Sequence, residues 1–236
     1  MKFNIEFEQT KPFNWVAPIL ALLTYVFGYL VLIPEITGAA FLLGLVNEES
    51  IFLFNGVLIG VLMVSIMILM ASLAHENIVN WSWSKRIQQV LRHVLYTYLT
   101  LIVVNFLLGL VTNLETSENQ QIIMETFKQA PYYIVFVAVI FAPIVEEILF
   151  RGIIYRAMRF FKFRYLAVLT SSFLFGLIHI YEPILNGRFE DAWFIFIYMA
   201  IGLFMCIIYE KSGDILAPIL LHMVYNAIAV LTLFIV

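Results

Sequence analysis

Long uninterrupted apolar runs dominate this sequence, and about 20 such residues in a row are enough to cross the hydrocarbon core of a bilayer. Read along the chain, they give seven candidate spans near 15–33, 51–73, 94–112, 131–150, 165–185, 192–209 and 215–235. The stretch 36–46 is apolar but short, so it reads either as a re-entrant piece or as an eighth span. Only 12% of the 236 residues are charged while 63% are hydrophobic. A soluble fold of this size has too few charged residues here to cover a water-facing surface. The expectation is an all-α fold, a polytopic transmembrane helix bundle forming one membrane domain over residues 1–236.

Basic residues set the orientation, because cytoplasmic loops carry the excess of Lys and Arg. With the N-terminus inside, only Lys128 and Arg188 of the 13 Lys and Arg residues fall on outer segments. Lys2, Lys11, Lys85, Arg86, Arg92, Arg151, Arg156, Arg159, Lys162, Arg164 and Lys211 fall on inner ones. That bias predicts an odd number of spans, an inner N-terminus and an outer C-terminus. Trp81 and Trp83 beside Lys85 read as an inner interfacial anchor. Segment 117–128 reads as a short helix on the outer surface or as a solvated loop. The first apolar run lacks a small-residue cleavage site and is expected to stay in the mature protein. A net charge of −3 with no basic patch or Gly-rich phosphate loop gives no sign of a nucleic-acid partner. Cys206, the one cysteine, excludes a disulfide framework and reads as packing.

Ionisable side chains inside spans are costly, so they are the informative ones. Here they collect in the second half: Glu146 and Glu147 in the fourth span, His179 in the fifth and His222 in the seventh, where the polar amide of Asn226 joins it. Adjacent glutamates point about 100° apart on a helix and need different partners. Glu147 and Arg151 are spaced i, i+4 in the favourable order for a pair. That leaves Glu146 unpaired on its own helix, a candidate general base. The alternative is a salt-bridge cluster of all three at the inner interface. His179 alone reads equally as a packing histidine, with Phe175 one turn earlier walling it off from lipid. His222 and Asn226 share a helix face and can both donate hydrogen bonds into a cavity, or they can tie helices together. Pro143 and Pro218 precede the two polar clusters and are expected to open those helices locally.

Three motifs stand in order in separate spans: Glu146-Glu147-x-x-x-Arg151, Phe175-x-x-x-His179 and His222-x-x-x-Asn226. Together they resemble the CAAX protease and bacteriocin-processing (CPBP, or Abi) family, relatives of the endopeptidase that trims prenylated CAAX proteins. The resemblance covers about residues 131–230, which would be the catalytic core. It implies an intramembrane endopeptidase acting on a peptide or membrane-protein substrate, in a bacterial cytoplasmic membrane. It further implies that Glu146 and His179 activate water, that His222 and Asn226 donate to the oxyanion, and that Glu147 and Arg151 support them. No cofactor is required in this reading. The alternative is zinc or another divalent metal on Glu146, His179 and His222, a plausible three-ligand set. The helical His-Glu-x-x-His signature is absent, since His75-Glu76 is followed at the required position by Val79. The family name also covers immunity factors, so a non-catalytic membrane interaction or bacteriocin self-immunity protein is the rival reading.

Depth supplies one more expectation. The spans as drawn put Glu146 near the inner face and His179 about 21 Å from it, at 1.5 Å per residue. For both to reach one water, the fourth helix must continue past Arg151 through Tyr155, with Arg156–Arg164 as the true inner edge. Arg151 is then buried against Glu147, and the cavity is expected to open inward.

Overall fold

A chain in lipid must satisfy its own backbone hydrogen bonds, and apolar runs of this length do so as helices. The computed structural model describes residues 15–74, 82–160 and 163–235. Among them, seven helices are long and apolar enough to cross a membrane. In chain order these are α1 (Val16–Leu42), α2 (Ile51–Ala74) and α3 (Trp83–Val111), then the short amphipathic α4 (Glu118–Gln129). The second half follows as α5 (Pro131–Arg159), α6 (Arg164–Leu185), α7 (Phe189–Ser212) and α8 (Leu216–Leu233). Phe27, Ile68 and Phe106, each more than half exposed, belong to the apolar outer belt expected where lipid is the solvent.

Three boundaries differ from those read off the sequence. Residues 36–42 are the last turns of α1, so 36–46 is neither a re-entrant piece nor an eighth span. Helix α3 begins at Trp83, where Ser82 Oγ accepts from Lys85 N–H at 3.3 Å as its N-cap. Its first three turns are too polar to register as an apolar run, yet Arg86 and His93 are buried. They meet α7 and the turn that leads into α8 instead of water: Arg86 pairs with Asp214, and His93 Nε2 lies 3.2 Å from Lys211 Nζ. Trp83 is exposed at this end with the Arg86 guanidinium 4.7 Å over its ring, whereas Trp81, Lys2, Lys11, His75, Glu76, Val79 and Lys162 lie outside the described residues.

Helix α5 does continue past Arg151, through Arg159. It is the central helix: half of its apolar window is buried, against 11% for α2. Two stretches of α5 wind as π-helix, Val135–Phe141 and Ile148–Tyr155. Insertions of this kind cluster at functional sites. Helices α6 and α7 pack backbone to backbone. A Cβ on Gly202 would come within 3.1 Å of Ser172 Cα, and one on Gly176 within 3.2 Å of the Ile195 carbonyl oxygen. Small residues permit such approach between membrane helices. Cys206 is buried in the same region, its Sγ 3.8 Å from Ser172 Oγ. At the basic end Arg164 grips Glu210 with both Nε and Nη2, at 3.0 and 2.8 Å, a fork that fixes α6 to α7. The opposite end carries the 112–130 connection and α4, whose N-cap Ser117 Oγ accepts from Gln120 N–H at 3.3 Å. Segment 117–128 is thus helical.

Candidate active site

The two neighbouring glutamates of α5 have opposite surroundings. Glu147 is wholly buried, and its Oε1 accepts from Arg151 Nη1 at 3.0 Å and lies 3.0 Å from His222 Nδ1. Arg151, also wholly buried, donates from Nη2 to the Gly202 carbonyl at 2.7 Å and sits 4.9 Å over the Phe175 ring. This contact explains the bare backbone at Gly202, where a Cβ would lie 3.3 Å from Arg151 Nη2. Glu146 is 8% exposed, and its Oε2 is buried without a hydrogen-bond partner among the described residues. Orphaned carboxylate oxygens are costly; Glu147 Oε2 is unpartnered too, so what sets Glu146 apart is its place on a cavity wall.

Both histidines have fixed tautomers. His179 Nδ1 lies 2.8 Å from the Phe175 carbonyl oxygen. A carbonyl only accepts, so Nδ1 carries the proton and the neutral ring holds its lone pair on Nε2. The ring is gripped between Phe175, at 4.8 Å between centroids, and Tyr198, stacked at 4.4 Å and 20°. His222 Nδ1 faces a carboxylate and donates to it by the same logic, with Nε2 left over. His222 is thus tied to Glu147 through Nδ1.

Asn226 is also partly occupied, for a reason that starts at Pro143. In the π-helical stretch each N–H bonds five residues back, as Ala142 N–H does to the Val137 carbonyl. Pro143 has no N–H, so the Ala138 carbonyl loses its partner in that register. Asn226 Nδ2 takes it at 2.7 Å. One amide proton of Asn226 remains for another acceptor. Pro218 behaves differently: it lies in the first turn of α8, where its missing N–H would have had no partner anyway. The expectation of a second opened helix is therefore corrected.

Glu146, His179, His222 and Asn226 line one cavity of about 540 Å³, together with Tyr29 and Tyr198. Glu147 and Arg151 are absent from that lining and support its wall from behind. The cavity extends to Glu115, Ser117 and Gln120 in the 112–130 connection. It thus opens toward the end opposite Arg156–Arg164, and the expected inward opening is corrected. Residues of the 112–130 connection and α4 form its rim at that end, and the Arg86–Asp214 and Arg164–Glu210 pairs tie the helices together at the basic end. The free Nε2 atoms are suitable metal donors, but among the described residues no group of three or more His, Cys, Asp and Glu can hold a metal ion. The set Glu146, His179 and His222 does not fit one in this arrangement.

Tyr29 and Tyr198 are among the lining residues that no motif announces. Tyr29 comes from α1, far from the polar spans, and Tyr198 from α7, where a tyrosine in an apolar run looks like packing. The only signal was the hydroxyl, which a buried tyrosine must satisfy or spend on function.

Residues 128–228 match the family model described as Type II CAAX prenyl endopeptidase Rce1-like. A Bacillus subtilis (strain 168) protein named "Putative membrane peptidase YdiL" is 32% identical over 115 residues, 49% of this chain and 43% of that relative. The chain thus matches less than half the length of that curated relative. No solved structure matches. All three motifs lie within residues 128–228, the segment that is similar to this family model.

Proposed function

We propose that this chain is an intramembrane endopeptidase that hydrolyses a peptide bond with water activated by Glu146 and His179. The observation that carries the reading is Glu146: a buried carboxylate with an unpartnered oxygen, on the wall of a cavity shared with His179, His222 and Asn226. Water held by the Glu146 carboxylate and the His179 Nε2 lone pair gives its proton to Glu146 as its oxygen attacks the scissile carbonyl. The remaining Asn226 amide proton stabilises the oxyanion, and His222 Nε2 joins it only when both ring nitrogens carry protons. Glu146 then returns the proton to the leaving nitrogen, the C–N bond breaks, and the products leave as a carboxylate and an ammonium, the amine having taken the second proton from the new carboxyl group. A positioned general base is worth about 10²–10⁴ in rate, and one oxyanion donor about 10²–10³.

The rival, a membrane interaction or immunity protein, draws support from the structural ties of His222 and Asn226. Those ties account for two motif residues without catalysis; they do not account for Glu146. Comparing the membrane and secreted peptides of cells carrying the wild type and Glu146→Gln separates the two. Cleavage products that vanish with Glu146→Gln at equal protein level are the expected result. Identical peptide sets would sink the hydrolase, and loss of cleavage on chelation would restore a metal.

A further inference from the structure

The cavity wall contains carboxylates and tyrosine rings but neither lysine nor arginine. Glu146 lies deep; Glu182 and Glu115 lie at the mouth and are exposed there. Neither mouth carboxylate forms a hydrogen bond or ion pair among the described residues, in contrast to Glu118 beside them, which holds Arg188 at 2.8 Å. Cations are scarce at this end: only Lys128 and Arg188 stand among the described residues, and Arg188 is taken. Tyr29, Tyr133, Tyr198 and Tyr225 turn aromatic surface to the same space. Carboxylates beside aromatic faces form the chemical environment that binds a desolvated ammonium or guanidinium. Between them the wall is apolar, with Ile123, Val137, Ile197 and Ile201.

We propose that the substrate is an apolar peptide segment carrying a lysine or arginine side chain on the mouth side of the cleaved bond, received by Glu182 and Glu115. The proposal rests on the peptidase reading for the word "cleaved" and on the cavity alone for the choice of cation. Glu182 follows His179 by three residues on α6, about 4.5 Å of helix rise. An extended chain covers that distance in one to two residues at roughly 3.3–3.6 Å each. The cationic residue therefore stands within about two residues of the bond. An acidic residue there meets three carboxylates and is rejected, so the mouth selects by repulsion as well as by attraction.

The test is binding, measured on the detergent-purified full chain carrying Glu146→Gln so that hydrolysis does not intervene. The probes are two fluorescent apolar peptides, blocked at both ends, that differ only in Lys-Lys or Glu-Glu beside the central bond. The lysine peptide is expected to bind at least about 10-fold more tightly. Adding Glu115→Gln and Glu182→Gln should bring that ratio below about 3, while Glu125→Gln, on α4 but outside the cavity wall, should leave it intact. Equal binding of the two peptides overturns the proposal, as does a ratio that survives the double substitution. Hydrolysis of the lysine peptide by the wild type is a separate readout. A binding preference without hydrolysis sinks the peptidase reading alone, and hydrolysis without preference sinks the cation site alone.

Discussion

His222 Nδ1 and Glu147 Oε1 lie 3.0 Å apart, and the same carboxylate oxygen takes Arg151 Nη1 at 3.0 Å. One buried oxygen thus joins α5 to α8 and holds the wholly buried Arg151. Glu146, one residue earlier, takes no part in this junction. The adjacent glutamates have separate surroundings because a helix turns them toward different neighbours.

Stability should separate them. Removing one partner of a buried ion pair leaves the other charge uncompensated and costs about 3–5 kcal/mol. Glu147→Gln is therefore expected to lower the thermal unfolding midpoint strongly in detergent, since Arg151 and Glu147 are both wholly buried. Glu146→Gln breaks no partner bond and should keep the midpoint near that of the wild type. Equal losses in the two variants would contradict the division.

The bundle was legible in the sequence because lipid imposes long apolar runs, and the Glu147–Arg151 pair because i, i+4 spacing is a local rule. Less legible was the start of α3: Arg86 and His93 look like a polar loop until Asp214 and Lys211 meet them from residues far along the chain. The His222–Glu147 bond was hidden for the same reason, since spacing within a helix says nothing about which neighbour a side chain meets. The direction of the cavity was read wrongly because it depends on where α4 lies, which no periodicity reports.

Asn226 should matter for folding apart from any catalysis. Asn226→Ala leaves the Ala138 carbonyl, already deprived by Pro143, without a partner, and an unsatisfied buried polar group costs about 1–3 kcal/mol. A lowered unfolding midpoint is the expected outcome. Combining it with Pro143→Ala, which restores an N–H to α5, should recover part of the loss. No recovery would mean that the proline is not the cause of the open carbonyl.

Cysteine accessibility tests the placement in the bilayer. With Cys206 replaced by alanine, single cysteines at 149–155 are expected to resist a membrane-impermeant thiol reagent, since Ile153 and Tyr155 are buried and α5 runs on to Arg159. A cysteine at position 115 should react, and by the charge rule it should react from outside the cell. Reaction of position 115 only in inverted vesicles would reverse the orientation while leaving the fold untouched.

Tyr198 should prove to be the residue that links His179 to the surface. Its ring stacks on the imidazole at 4.4 Å, and its hydroxyl lies 2.7 Å from Ser117 Oγ and 3.2 Å from Asn119 Nδ2. Ser117 caps α4 and Asn119 lies in its first turn, so a single side chain joins the imidazole to the helix that covers the mouth. Tyr198→Phe keeps the stack and removes both hydrogen bonds, each worth about 1 kcal/mol net. Amide exchange in α4 should then quicken while α6 stays protected, and any peptidase activity should change mainly in KM, because the covering helix loosens but His179 stays in place. Tyr198→Leu also removes the stack and should lower kcat in addition. If Phe and Leu give the same exchange and the same kinetic split, the ring does not position His179, and the link between the surface helix and the imidazole fails.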